Sequence, residues 1–174
     1  MARAHHTGEL KLPTTTVGVR LALVGSTPAD VEMFVPDVAR HGRAQLCDDV
    51  AAQLAGGARF LPVRGAGAIR LVAKHAIIWV AVARFGSGDT TQDEPIEPGD
   101  ELALYDHQHL VEVELLVGER LTGTLFDSAP ADRARLIDHL NRTDAFLRLW
   151  TTDQHYVISA AQVVAVTELG EVWG

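Results

Sequence analysis

One cysteine, Cys47, is present in 174 residues, so neither an internal disulfide framework nor a structural zinc site built on several thiolates is available. Long apolar runs are also missing. The longest, Ala76 to Ala83, falls far short of the roughly 20 residues that a membrane-spanning helix needs, and no span is expected. The opening "MARAHHTGELKLP" has no apolar stretch after its basic residues, so it does not read as a secretory signal. Cytoplasmic residence is the expectation. Basic residues are outnumbered, 15 Lys and Arg against 23 Asp and Glu, which argues against a general binder of the nucleic-acid backbone.

What is present is 47% hydrophobic residues, enough for a packed core, and a charge distribution that divides the chain. Residues 14–85 carry eight basic against five acidic residues, 86–103 none against six, and 104–174 five against eleven. Unlike halves favour docking on one another or head-to-tail association between chains.

The chain also repeats itself. Phe60 to Val80 aligns without gaps on Phe146 to Val166, apolar on apolar, so Phe60 and Phe146 are expected to be equivalent core anchors. Val31 to Val50 aligns on Leu121 to Leu140, and Val17, Val19 and Leu21 align on Val111, Val113 and Leu115. Each copy alternates like a half-buried strand, adds a second short strand, and changes to helical spacing at Leu46, Val50 and Leu54 or at Leu136, Ile137 and Leu140. Ser128 with Pro130, and more loosely Asp37, signal the helix starts; Gly56-Gly57 and Asn141 signal the ends. Stretches rich in β-branched residues complete each unit. The fold class expected is α+β, mostly β: two duplicated small barrel or roll lobes, each strand-strand-helix-strand-strand with an optional further strand. A flexible tail (1–13) precedes the lobes at 14–85 and 104–174, and "GSGDTTQDEPIEPGD" lies within an acidic Gly/Pro linker over 86–103.

The pattern of a short helix, "RLIDHLN", followed by "FLRL" and an apolar strand ending in "QVVAV" resembles small bacterial β-rich domains of unknown function. The resemblance covers both copies and rests on apolar framework, so it implies a fold and no activity. Sm-like RNA-binding barrels are of similar build, but their Arg-Gly signature after an aromatic-apolar pair is absent.

No set of residues forms a convincing catalytic group. Cys47 could serve as a nucleophile with a histidine as base, yet it occupies the repeat position of Ile137 on the apolar side of a helix, where cysteine acts as a small hydrophobe. His107 and His109 share a strand face and could ligate a metal with Asp106 or a Glu, but that face continues into Val111, Val113 and Leu115. His5-His6 is a weaker candidate still. Glu112 and Glu114 read as a solvated face rather than an acid and base pair. Asp37 with Arg43, and Asp127 with Arg133, recur at one spacing and read as helix-end pairing. "RGAGAIR" reads as a turn rather than a phosphate cradle, because it lacks a following helix.

Trp79 stands where the other copy has Ala165, and Trp150 where it has Arg64. With Trp173, these are either hydrophobic anchors for a partner or fillers of the seam between lobes. The function expected is that of a non-enzymatic interaction or assembly protein, without cofactor, whose partner is another protein or a copy of itself. The alternative is a small-ligand or nucleotide sensor with a cleft between the lobes, where Arg64, Arg70 and Lys74 would contact an anion.

Overall fold

The computed structural model describes residues 14–36, 43–83, 107–127, 135–143 and 145–171. The expected tail (1–13), the acidic linker (86–103), His5-His6, Asp37, Ser128, Pro130, Arg133 and Trp173 lie outside them. The described residues are mostly strand, with two α-helices on one open antiparallel sheet.

The elements run β1 (Thr14–Leu23), β2 (Ala29–Pro36), α1 (Arg43–Ala55), β3 (Phe60–Gly65), β4 (Ala68–Ala73), a 3-10 turn (Lys74–Ala76) and β5 (Ile77–Ala83). The order then recurs as β6 (His107–Leu115), β7 (Arg120–Asp127), α2 (Leu136–Arg142), β8 (Phe146–Trp150), β9 (Gln154–Ser159), a 3-10 turn (Ala160–Gln162) and β10 (Val163–Glu171). Across the sheet the ten strands lie in the order β10-β6-β7-β8-β9-β5-β1-β2-β3-β4. No helix among the described residues is long and apolar enough to cross a membrane.

Local sequence accounts for most elements. In β1, Val17, Val19 and Leu21 are buried while Gly18 and Arg20 are exposed, and β6 buries His109, Val111, Val113 and Leu115 in the same period of two. α1 buries Cys47, Val50 and Leu54, a helical stripe that lies against β2. Gly56 closes it by donating to the Ala52 carbonyl. In the second half Thr143, two residues beyond Asn141, closes α2 by donating to the His139 carbonyl. The "RGAGA" stretch is a two-residue hairpin turn: Ala66 and Gly67 have φ of 49° and 77°, and Gly65 faces Ala68.

β5 explains its own run of apolar residues. It pairs with β1 on one side and with β9 on the other, and Ile77 to Val82 are all buried. A strand with apolar surroundings on both faces has no reason to alternate. Its side chains feed two clusters. Ile77, Val80 and Val82 join Val17, Val19, Leu21, Met33, Val50 and Leu61 in the first. Ile78, Trp79 and Ala81 join Val111, Val113, Leu125, Leu147 and Leu149 in the second.

Two expectations are corrected by the pairing. Val80 faces Leu21 in β5–β1, whereas Val166, aligned with it in the sequence repeat, faces Val113 in β10–β6. Val19 faces Val31 and Val111 faces Gly123. The first hairpin therefore matches the second with Leu21 on Val113 and Val31 on Gly123, two residues away from the register read in sequence. The difference in length falls between the second and third strands, where α1 has 13 residues and α2 has 7. The second correction concerns Phe60 and Phe146, which are not equivalent anchors. Phe146 packs on the first cluster; Phe60 is 54% exposed.

Candidate functional site

The seam between β5 and β9 joins the two halves. Trp79 faces Ile158, Val80 faces Val157, Ala81 faces Tyr156 and Val82 faces His155. Side chains are exchanged across it. Val157, from the second half, belongs to the first cluster, and Trp79, from the first half, belongs to the second. Trp79 meets the Tyr156 ring edge-on at 5.3 Å and donates its indole N–H to Glu119 Oε2 at 2.8 Å. It fills the seam, which decides between the two roles open to it. Burial, with Asp153 and Glu119 nearby, raises the Tyr156 hydroxyl above its ordinary pKa.

Trp150 is half-buried at the same seam, stacked on His155 at 4.1 Å and edge-on to Phe126 at 5.9 Å. Arg148 on β8 completes the junction by donating to Asp48 on α1 and, at 3.5 Å, to His155 Nε2. Polar contacts thus tie the first helix to the strands of the second half.

The two outer strands present a different picture. Among the described residues, β4 and β10 have a strand neighbour on one side only. β4 exposes Ile69 and Leu71, β3 beside it exposes Phe60, and β10 exposes Val164 and Leu169. Apolar side chains on open edges are a template for strand addition.

The expected anion contacts are not brought together. Arg64 donates to Glu32 at 2.9 Å and lies 5.2 Å from the centre of the Phe34 ring. Arg70 faces Val63 and Arg64 faces Ile69, so neighbouring positions send the two guanidinium groups to opposite faces of the hairpin. Lys74 donates to the Gly56 carbonyl at the end of α1, and burial lowers its pKa.

Cys47 is buried, but Ile137, its expected counterpart, is exposed, and Leu136 takes the inward position in α2. Glu112 and Glu114 share Arg120 at 3.3 and 3.6 Å. Asp127 is buried at the end of β7, where it accepts from Arg142 at 2.7 Å and lies 3.6 Å from His139. Among the described residues these two α2 side chains are its partners; Arg133, the partner expected from sequence, lies outside them. Desolvation lowers the His139 pKa, outweighing the upward pull of Asp127, and Arg142 and His109 push the same way as desolvation.

His109 is buried, with Nδ1 on Glu168 Oε1 at 2.8 Å; its Nε2 and that of His107 are buried without a hydrogen-bond partner among the described residues. No group of three or more His, Cys, Asp or Glu side chains there is arranged to hold a metal ion. Sequence reasoning missed the Trp79–Glu119 bond and the Arg148–Asp48 pair because each joins residues far apart in the chain, and the His155–Trp150 stack because it depends on the β8–β9 register that sets those two residues opposite one another. Comparison with protein-family models, with curated proteins and with solved structures finds no match for this chain.

Proposed function

We propose that the chain is a non-enzymatic interaction or assembly protein made of two duplicated β-rich lobes, 14–85 and 104–174, joined through the acidic linker 86–103. Each lobe is a small roll whose helix closes one side of its core. The recurring order of elements and the two apolar clusters support the duplication. Cytoplasmic residence is part of the same reading. The observation that carries the function is the pair of open edges with exposed apolar side chains, Ile69 and Leu71 on β4 and Val164 and Leu169 on β10. Backbone groups along such an edge supply affinity by strand addition, and the apolar side chains supply the burial.

The test is the native mass of the tagged chain recovered from its own cells. A species heavier than the 18.8 kDa chain is expected, and Leu71→Lys is expected to reduce it to that mass. A single chain in the wild type overturns the reading.

A further inference from the structure

We propose that the occupant of each open edge is the opposite edge of a second copy of this chain: β10 of one chain pairs antiparallel with β4 of the next, repeating between chains the seam that β5 and β9 make within one. This rests on the assembly reading above and names its partner and register.

The argument starts from an interface that already exists. In each half the strands lie in one order, with the fifth beside the first and the fourth at the far end: β5-β1-β2-β3-β4 and β10-β6-β7-β8-β9. Within the chain, the far end of the second half, β9, pairs with the fifth strand of the first half, β5. That leaves one far end, β4, and one fifth strand, β10, with no strand beyond them among the described residues. The two open surfaces are therefore the two halves of a junction that the chain makes once.

Exposure follows the same correspondence. Leu71 of β4 holds the repeat position of Val157, and it is 71% exposed where Val157 is 0% exposed inside the first cluster. Ile69 holds the position of His155, which is buried at the seam. Phe60 holds the position of Phe146, which packs on the first cluster across the seam. On the other edge, Val164 is 55% exposed and its counterpart Ile78 is 4% exposed within the second cluster. Each of these side chains lacks only the core that a neighbouring lobe would bring. Leu169 does not join this argument, since its counterpart Ala83 is itself exposed.

Transferring the register of β5–β9 fixes the contacts. Val166 faces Leu71 of the second copy, Ala165 faces its Val72, Thr167 its Arg70 and Glu168 its Ile69. Charge sets the direction. The half that ends in β4 carries the basic excess and the half that ends in β10 the acidic one, so unlike ends attract. Pairing β4 with another β4 would bring two basic halves together, and pairing β10 with β10 two acidic halves, so like charge opposes both. The interface is heterologous, so addition continues until the chains close a ring or extend a filament.

The experiment uses the purified full-length chain. Light scattering after size exclusion is expected to give a whole-number multiple of 18.8 kDa, two chains or more. Leu71→Lys and Val166→Lys are each expected to return it to one chain with the wild-type far-UV circular dichroism. Should either variant fail to fold, cross-linking decides. In a Cys47→Ala background, Leu71→Cys combined with Val166→Cys is expected to give a ladder of covalent multimers on oxidation, because facing Cα atoms lie about 4.5–5.5 Å apart. Each single cysteine variant is expected to give none. Dimers from Leu71→Cys alone, or a purified wild type at one-chain mass, overturn the proposal. If that one-chain protein is heavier when recovered from cells, the edges take a different protein, and only the second-copy proposal falls. If both preparations are single chains, both readings fall.

Discussion

Trp79→Ala tests the seam most directly. The indole is 4% exposed, sits among second-cluster residues although it comes from the first half, and has both a ring partner and a hydrogen-bond acceptor. Truncating a buried Trp costs about 3–5 kcal/mol through lost transfer energy and the cavity left behind. Edge-on contact with Tyr156 accounts for about 0.5–1.5 kcal/mol of that. Glu119 is half-buried in a turn, so its carboxylate regains water when the N–H is removed and adds only about 1 kcal/mol. A loss of about 4 kcal/mol is therefore expected, equivalent to roughly 8–16 °C in Tm for a chain of this size. Trp79→Phe keeps the ring contact and gives up the bond and part of the volume, for a loss of about 1–2 kcal/mol. Urea unfolding followed by far-UV circular dichroism is the assay, since the substitution removes a fluorophore. All variants are compared at one chain concentration, because association adds apparent stability. A loss under about 1 kcal/mol for alanine would refute the packing of Trp79 between the halves. Equal losses for alanine and phenylalanine would assign the effect to the Glu119 bond rather than to burial.

Phe146→Ala is expected to cost about 2–3 kcal/mol, whereas Phe60→Ala, on an exposed edge, should stay within about 1 kcal/mol in the dissociated chain. Equal losses in dilute urea titrations would restore the equivalence that the structure denies. Gly123→Ala places a Cβ 2.4 Å from the Trp150 carbonyl oxygen and 2.9 Å from Leu149 Cγ, so β7 and β8 must separate. The cost is expected to be about 3 kcal/mol or more, read from the urea midpoint, and a neutral result would contradict that close approach. His139 titrates below its ordinary pKa in the folded chain. The unfolded chain takes up this proton first, so stability from this source is full at pH above 6.5 and falls as pH drops through 6.5 towards the lower folded pKa. Urea midpoints for His139→Gln should be flatter between pH 7.5 and 5.5 than those of the wild type, and parallel curves would refute the assignment.

Which parts of this fold can be read from residues alone follows from what a period can encode. Val17, Val19 and Leu21 announce a strand with one buried face, and Cys47, Val50 and Leu54 announce a helix. A period of two is unchanged when it slides by two residues. Aligning Val17 or Val19 on Val111 satisfies the pattern equally, and only the pairing of Val80 with Leu21 and of Val166 with Val113 selects the second. Apolar character also says nothing about what covers a side chain. Phe60 and Phe146 look alike in sequence and differ because β9 has β5 beside it, while β4 has no strand on its outer side among the described residues. The seam was illegible for the same reason, since Trp79 meets Ile158 from the far side of the chain.

The stretches aligned as repeats differ at several positions that line this junction. The seam within the chain holds Trp79 with Glu119 and Tyr156, and His155 stacked on Trp150 and reached by Arg148. At the corresponding positions β10 carries Ala165, β4 carries Ile69 and β3, beside that edge, carries Arg64, which is already engaged by Glu32. On the head-to-tail arrangement proposed above, a junction between chains would have neither the indole nor the stacked imidazole. It would depend on backbone pairing and on aliphatic side chains such as Leu71 and Val166. Such a junction is weaker than the one within the chain and loses its apolar contribution on dissociation without leaving buried polar groups orphaned. On that arrangement, substitution at these few positions would separate a permanent seam from a reversible one. An assembly built this way would come apart between chains before any chain opens at β5–β9, and its unit of exchange would be the whole two-lobed chain.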